Sequence, residues 1–380
     1  LVVADFAAGS AMITFGALLG KCNLQQLMFL VFWEMIFQGL NEAIGAKSIK
    51  AVDMGGSMFV HAFGAYYGLA ASFFFQPTRA SKSSNMKASH TSNAIAAVGS
   101  IFLWMYWPSF NGALATGVTQ HRVVVNTVLA IASSCVSAAA VCRILFGKLE
   151  MEVMLNATLA GGVAIGSAAD IMVSPWSTML IGFLAGILSA VGFKKIGPFL
   201  LETMNLHDTC GVHSLHGMPA VFGAIVSAIA IAGATEKGFP DGYFPLVGVD
   251  GGTYSTQAGA QIWALLVTLG LSIFGGVTGG FLASLQFWQP VHALFKDDDH
   301  FDGVPLGLGQ CRHVVDAVHI AVHRHPREAL VADVVEHVTV LALAVAHHGG
   351  QHQEPRALGH GQHPVGDLLH ALPGDLHPAH

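Results

Sequence analysis

Charge is scarce in this sequence. Only 11% of its 380 residues are Asp, Glu, Lys or Arg, against about a quarter in soluble domains. The chain is 53% hydrophobic, and a water-soluble fold of residues 1–295 would leave far too much apolar surface exposed. Basic residues are also few: 17 Lys and Arg stand against 23 Asp and Glu, a net charge of −6. That excludes a nucleic-acid footprint. The five cysteines, Cys22, Cys135, Cys142, Cys210 and Cys311, are scattered and odd in number. They make neither a disulfide framework nor a zinc cluster, so no metal and no cofactor is expected. There is no P-loop, nucleophile elbow or HExxH stretch, and nothing argues for an enzyme. The chain starts without Met and already inside an apolar run. It therefore reads as N-terminally incomplete, and targeting cannot be judged from it.

What the sequence has in abundance is long apolar runs. A membrane span needs about 20 largely apolar residues. Nine stretches qualify: 1–20, 27–45, 54–75, 94–112, 122–143, 154–172, 176–194, 211–233 and 258–286. Their apolar residues run continuously instead of alternating, which favours helices over a barrel. The expected fold class is an all-α, polytopic helical bundle. Gly275-Gly276 and Gly279-Gly280 give two overlapping GxxxG spacings in the last span, as close helix approach requires. Orientation follows from the basic loops. One set holds Lys21, Arg79, Lys82, Lys87, Arg143, Lys148, Lys194, Lys195 and Lys296; the other holds only Lys47, Lys50, Arg122 and Lys237. The richer set is expected in the cytoplasm, together with the C-terminal tail.

Two stretches carry the chemistry: Asp208-Thr-Cys-Gly-Val-His213-Ser-Leu-His216-Gly-Met-Pro219, and Asp53-Met-Gly-Gly-Ser-Met-Phe-Val-His61 upstream. Each sets an aspartate ahead of a histidine at the head of a Gly-rich apolar helix. An ionisable group inside a membrane helix marks a functional site by default. Repetition of the same arrangement is the signature of two related halves meeting at a midplane site. Asp53 and Asp208 are placed to satisfy free N–H groups at their helix starts. His213 and His216 are spaced to chelate a metal, but no carboxylate or Cys constellation accompanies them. Glu34 is charged within span two and is expected to face the bundle or an interface. Asn156-Ala-Thr158 is a formal glycosylation sequon at a membrane helix, where modification is not expected.

These motifs resemble the ammonium transporter and Rh glycoprotein family, and the Rh branch most closely. Further matching strings are Ala4-Asp5-Phe6, Phe102-Leu-Trp-Met-Tyr-Trp-Pro-Ser-Phe110-Asn111 and Asn156-Ala-Thr-Leu-Ala-Gly-Gly162. The sequence departs from the family at Ser214, usually Asn, and around Asn93, where many relatives are acidic. The resemblance covers roughly residues 1–305. It implies an inverted-repeat channel fold with about nine of the family's spans present and the first core spans lacking. Such a chain is expected to conduct nothing until those spans are restored.

The resemblance implies an ammonia channel. His61 and His213 would lie side by side in the pore and share an imidazole hydrogen bond, with His216 lining or supporting the pore floor. Phe6 and Phe110 would stack above them as an outer gate. Glu42, Asp53, Asp208 and Asn111 would recruit ammonium or start helices. Carbon dioxide is a second substrate that the resemblance allows, and the resemblance implies a homotrimer. The plasma membrane is the expected location. Alternatives are a non-conducting structural membrane component and a metal- or proton-coupled transporter working through His213 and His216.

Residues 311–380 stand apart. They hold 13 of the 21 histidines and no Lys, Phe, Tyr, Trp, Met, Ser or Asn. A His-rich tract suggests metal binding, but the skew reads more simply as disordered or out-of-frame sequence. The expected domains are therefore a channel domain over 1–295, the start of an acidic tail over 296–310, and this His-rich tail.

Overall fold

A computed structural model describes residues 2–75, 77–86, 88–117, 119–234, 253–286, 288, 294 and 295. The expected tail, with Cys311, and the loop cations Lys87, Lys237 and Lys296 lie outside the described residues.

The described residues form helices and no strand. In chain order these are α1 (Val2–Leu18), α2 (Leu24–Glu42), α3 (Phe63–Ser72), the short α4 (Pro77–Ser81), α5 (His90–Asn111) and α6 (Thr119–Phe146). They are followed by α7 (Met151–Ala157), α8 (Ala160–Ile165), α9 (Pro175–Val191), α10 (Gly197–Met204), α11 (Met218–Ala232) and α12 (Tyr254–Ala283). Wider π turns join or extend several of them: Ala43–Ser48 after α2, Ser57–Ala62 before α3, Gly192–Ile196 after α9 and His213–Gly217 before α11.

Each of the nine expected spans holds helix. Among the described residues, six helical stretches are long and apolar enough to cross a membrane: Leu24–Ser48, Thr119–Phe146, Met151–Ala168, Pro175–Met204, His213–Ala232 and Tyr254–Ala283. The chain is an integral, multi-pass membrane protein. Local sequence sets the helix starts. Asn23, Ser89 and Thr253 each accept the backbone N–H three residues on, while that residue's side chain reaches back to the cap N–H. These reciprocal caps satisfy groups that a helix end otherwise leaves free.

Close approach builds the bundle. A Cβ on Gly276 of α12 would stand 2.3 Å from the Tyr67 carbonyl oxygen of α3, so the GxxxG face is the seam between these two helices. Buried polar side chains fix the connections. Gln261 holds both backbone groups of Val52, accepting its N–H at 2.7 Å and donating to its carbonyl at 2.6 Å. Asn126 donates to the carbonyls of Ala169 and Met172. Lys21, counted above as a loop cation, is only 4% exposed. Its ammonium donates to Ser72 Oγ at 2.7 Å and to the His207 carbonyl at 2.8 Å. It ties the α1–α2 turn, the end of α3 and the approach to α11 together.

Candidate functional site

The two helices that carry the repeated motif begin alike. Asp53 Oδ2 accepts the N–H groups of Met58 at 2.9 Å and Phe59 at 2.8 Å. Asp208 accepts those of Val212 at 3.0 Å and His213 at 2.9 Å. Three residues after each aspartate stands a glycine in the left-handed region, Gly56 at φ 69° and Gly211 at φ 73°. That conformation is open to glycine and strained for other residues. A π turn follows in each case, and such turns gather at functional sites. Asp53 also takes a hydrogen bond from Ser167 Oγ. Ser57 Oγ donates to the Val163 carbonyl and accepts from the Ser167 N–H. The first motif is thus pinned to the segment around α8, which crosses behind it.

The site departs from the sequence expectation at one point. The ring beside His61 belongs to His216, not His213. Their Nδ1 atoms lie 3.2 Å apart, and the rings stack at 5.2 Å and 9°. His213 instead meets the Tyr66 ring edge-on at 5.7 Å and does not line the adjoining cavity. The reason lies in register. His61 follows Asp53 by eight residues and His216 follows Asp208 by eight, whereas His213 follows by five. Equal spacing from the two capping aspartates brings the rings to equivalent places, and this signal could have been read from the sequence.

Around the pair the walls are aromatic and aliphatic. Trp107 stacks on His61 at 5.6 Å and 12°. Phe110 sits 5.6 Å from His61 and 4.8 Å from Phe6. The structure therefore brings Phe6, Phe110 and His61 into one cluster. A cavity of about 510 Å³ opens beside them, bounded by α1, α5 and the turn before α11. No Asp, Glu, Lys or Arg is among its walls. On one flank it is bounded by Met12 and Tyr106, which are 66% and 60% exposed; there it opens to the outside of the bundle. The stacking of Trp107 on His61 is not legible from sequence spacing.

The contact between two Nδ1 atoms has a chemical consequence. One ring must donate there and the other accept, so at least one imidazole is neutral. Each ring keeps its Nε2 free for other partners, and that of His61 is buried with none. With both rings neutral, the pair offers one N–H donor and one bare nitrogen at its two Nε2 atoms.

Other expected residues lie apart from the cavity. Glu42 ends α2 and accepts from Gln38 Nε2 at 3.4 Å. Asn111 is buried and donates to Thr127 Oγ1 and to the Gly162 carbonyl, both at 3.1 Å. It joins α5 to α6 and α8. Among the described residues, no group of three or more His, Cys, Asp or Glu could hold a metal ion.

Comparison with known proteins bears on this geometry. The model of the Ammonium Transporter Family matches residues 1–291. The chain is 41% identical over 313 residues to the ammonium transporter Rh type B of Oryzias latipes, covering 80% of this chain and 68% of that protein. It is 40% identical over 317 residues to the human ammonium transporter Rh type C, covering 81% of this chain and 66% of that protein. Among solved structures it is similar to Nitrosomonas europaea Rh50, with a TM-score of 0.67, 30% identity, and coverage of 85% of this chain and 79% of that one. A sensor Amt protein shares the fold at a TM-score of 0.62 and 23% identity, over 80% of this chain and 75% of that one. The chain belongs to the ammonium transporter family, in its Rh branch.

Proposed function

We propose that the protein passes ammonia across a membrane through the cavity that ends on His61 and His216. The observation that carries this reading is the 3.2 Å contact between the two Nδ1 atoms at the wall of an apolar cavity. Ammonia both donates and accepts hydrogen bonds, and the pair offers one group of each kind. Ammonium would enter this space without a counter-charge, and an unpaired ion in a low-dielectric site is costly by several kcal/mol. The proton is therefore left at the entrance and the neutral molecule moves on. Phe6 and Phe110 form the outer gate, where aromatic faces attract a cation and exclude water. Glu42, at the end of α2, adds negative charge that concentrates ammonium there, an effect that salt weakens.

In this reading the assembly is a homotrimer in the plasma membrane, with the basic-rich ends and the tail in the cytoplasm. Carbon dioxide, small and neutral, is a second substrate that the same apolar walls admit.

The test is flux of ammonia and methylammonium into proteoliposomes, with current recorded in parallel. The full chain is assayed as the wild type and as two single variants. His61→Ala and His216→Ala are each expected to cut flux at least about tenfold, equal to ~1.4 kcal/mol of barrier, with no net current in the wild type. Flux unchanged in both variants would take the path away from the histidine pair, absence of flux in the wild type would favour a structural membrane component, and a steady net current would replace ammonia by ammonium as the species that crosses.

A further inference from the structure

Behind the His61 helix, away from the cavity, a carboxyl group is buried in the membrane with no cation beside it. Glu34 of α2 is fully buried and has no ion-pair partner among the described residues. Ser10 Oγ and Thr14 Oγ1 of α1 each lie 3.0 Å from its Oε1, and its Oε2 has no hydrogen-bond partner. Thr14 Oγ1 also lies 2.9 Å from the Gly64 carbonyl of α3.

Counting protons decides between two arrangements. A threonine hydroxyl has one proton. If Glu34 is a carboxylate, Thr14 must choose between Glu34 and the Gly64 carbonyl. Either choice leaves one of these two close contacts without a proton, and the charge on Oε2 meets nothing. If Glu34 is a carboxylic acid with its proton on Oε1, all the contacts are made in one direction. Ser10 donates to Glu34, Glu34 donates to Thr14, and Thr14 donates to the Gly64 carbonyl. Hydrogen bonds in such a chain strengthen one another, and no ion is buried. A bound metal ion does not fit instead, because α1 and α3 touch here: a Cβ on Gly64 would lie 2.4 Å from the Ser10 carbonyl oxygen.

We propose that Glu34 is a buried carboxylic acid whose O–H clasps α1 and α2 to α3, three residues beyond His61. The clasp sets the spacing between the wall formed by α1 and the helix that presents His61. Its role is to position that histidine, not to meet the permeating molecule.

Glutamine keeps the shape of a carboxylic acid and has no proton to lose; its NH2 donates to both Thr14 and Ser10, whose bond then runs the other way. Glu34→Gln is therefore expected to match the wild type in melting midpoint in detergent and in ammonia flux. Glu34→Ala and Thr14→Val are each expected to lower the midpoint by several degrees. In infrared spectra of the detergent-solubilised chain, the band of a protonated carboxyl C=O present in the wild type should lose intensity in Glu34→Gln. A Glu34→Gln protein as unstable as Glu34→Ala, or an unchanged carboxyl band, would show that Glu34 is ionised and overturn the proposal.

Discussion

Asp53 and Asp208 hold equivalent places, yet Asp53 carries one bond more. Both accept two backbone N–H groups at the start of a histidine-bearing helix, and Asp53 alone also accepts the Ser167 hydroxyl. A lost cap costs about 1 kcal/mol, and a lost hydrogen bond to a charged group about 1.5–3 kcal/mol. Asp53→Ala should therefore destabilise the protein more than Asp208→Ala. Melting midpoints of the two variants in one detergent check the order. Equal losses would mean that Ser167 contributes nothing.

His216→Ala and His213→Ala separate the observed pair from the one expected by motif resemblance. Only His216 reaches His61. Its loss should slow ammonia flux about tenfold or more, or ~1.4 kcal/mol. Loss of His213 removes a ring contact with Tyr66 and should lower flux by less than twofold. A larger effect at His213 would move the polar station away from the cavity.

How much of this was legible in the sequence depends on the kind of interaction. The spans were, because about 20 apolar residues in a row have few other solutions. The capping aspartates were, because a cap is a local geometry. The π turns were not: each admits an extra residue without changing composition, so hydrophobic pattern does not mark it. Lys21 shows the limit of reading charge along a chain. It counts as a loop cation by position, but its partners, Ser72 and the His207 carbonyl, are distant in sequence. Trp107 was hidden for the same reason, since its partner His61 lies on another helix. The repeated eight-residue spacing was in plain view, and the shorter spacing of His213 masked it.

Phe110 touches both Phe6 and His61, so it stands between Phe6 and the histidine pair. Phe110→Ala should open that path to water. Stopped-flow light scattering of proteoliposomes would then show faster osmotic shrinkage than in the wild type. Unaltered water permeability would remove the two rings from the barrier. The fold should survive, because Phe110 is only partly buried.

Gly56 and Gly211 test whether the two half-motifs need their left-handed turn. Any side chain there meets a backbone cost of about 1–2 kcal/mol. The contacts then differ. A Cβ on Gly56 would stand 2.6 Å from a Val60 methyl group, and one on Gly211 would stand 2.2 Å from the Phe193 ring. The valine can turn, while the ring is larger and harder to move. Gly211→Ala should therefore lower the melting midpoint more than Gly56→Ala. The opposite order would mean that the Phe193 side yields more easily than its packing suggests.

His207 gives the protein a dependence on acid. It is buried in the loop before Asp208. Burial, and then the charge of Lys21, hold its imidazole down at about 4, against an ordinary 6.5. In the unfolded chain His207 takes a proton near 6.5, while in the folded chain it does so only near 4. Between those values the unfolded state binds more protons, so stability falls as pH drops from 6.5 to 4 and levels below that. Lys21 acts in the alkaline range. Burial lowers it from 10.5 to about 8, so the folded chain sheds that proton first, and stability rises as pH climbs from 8 to 10.5. Melting midpoints across pH, measured for the wild type and for His207→Phe, isolate the acid limb. The variant should lose less stability than the wild type between 6.5 and 4. Parallel curves would mean that His207 titrates alike in both states.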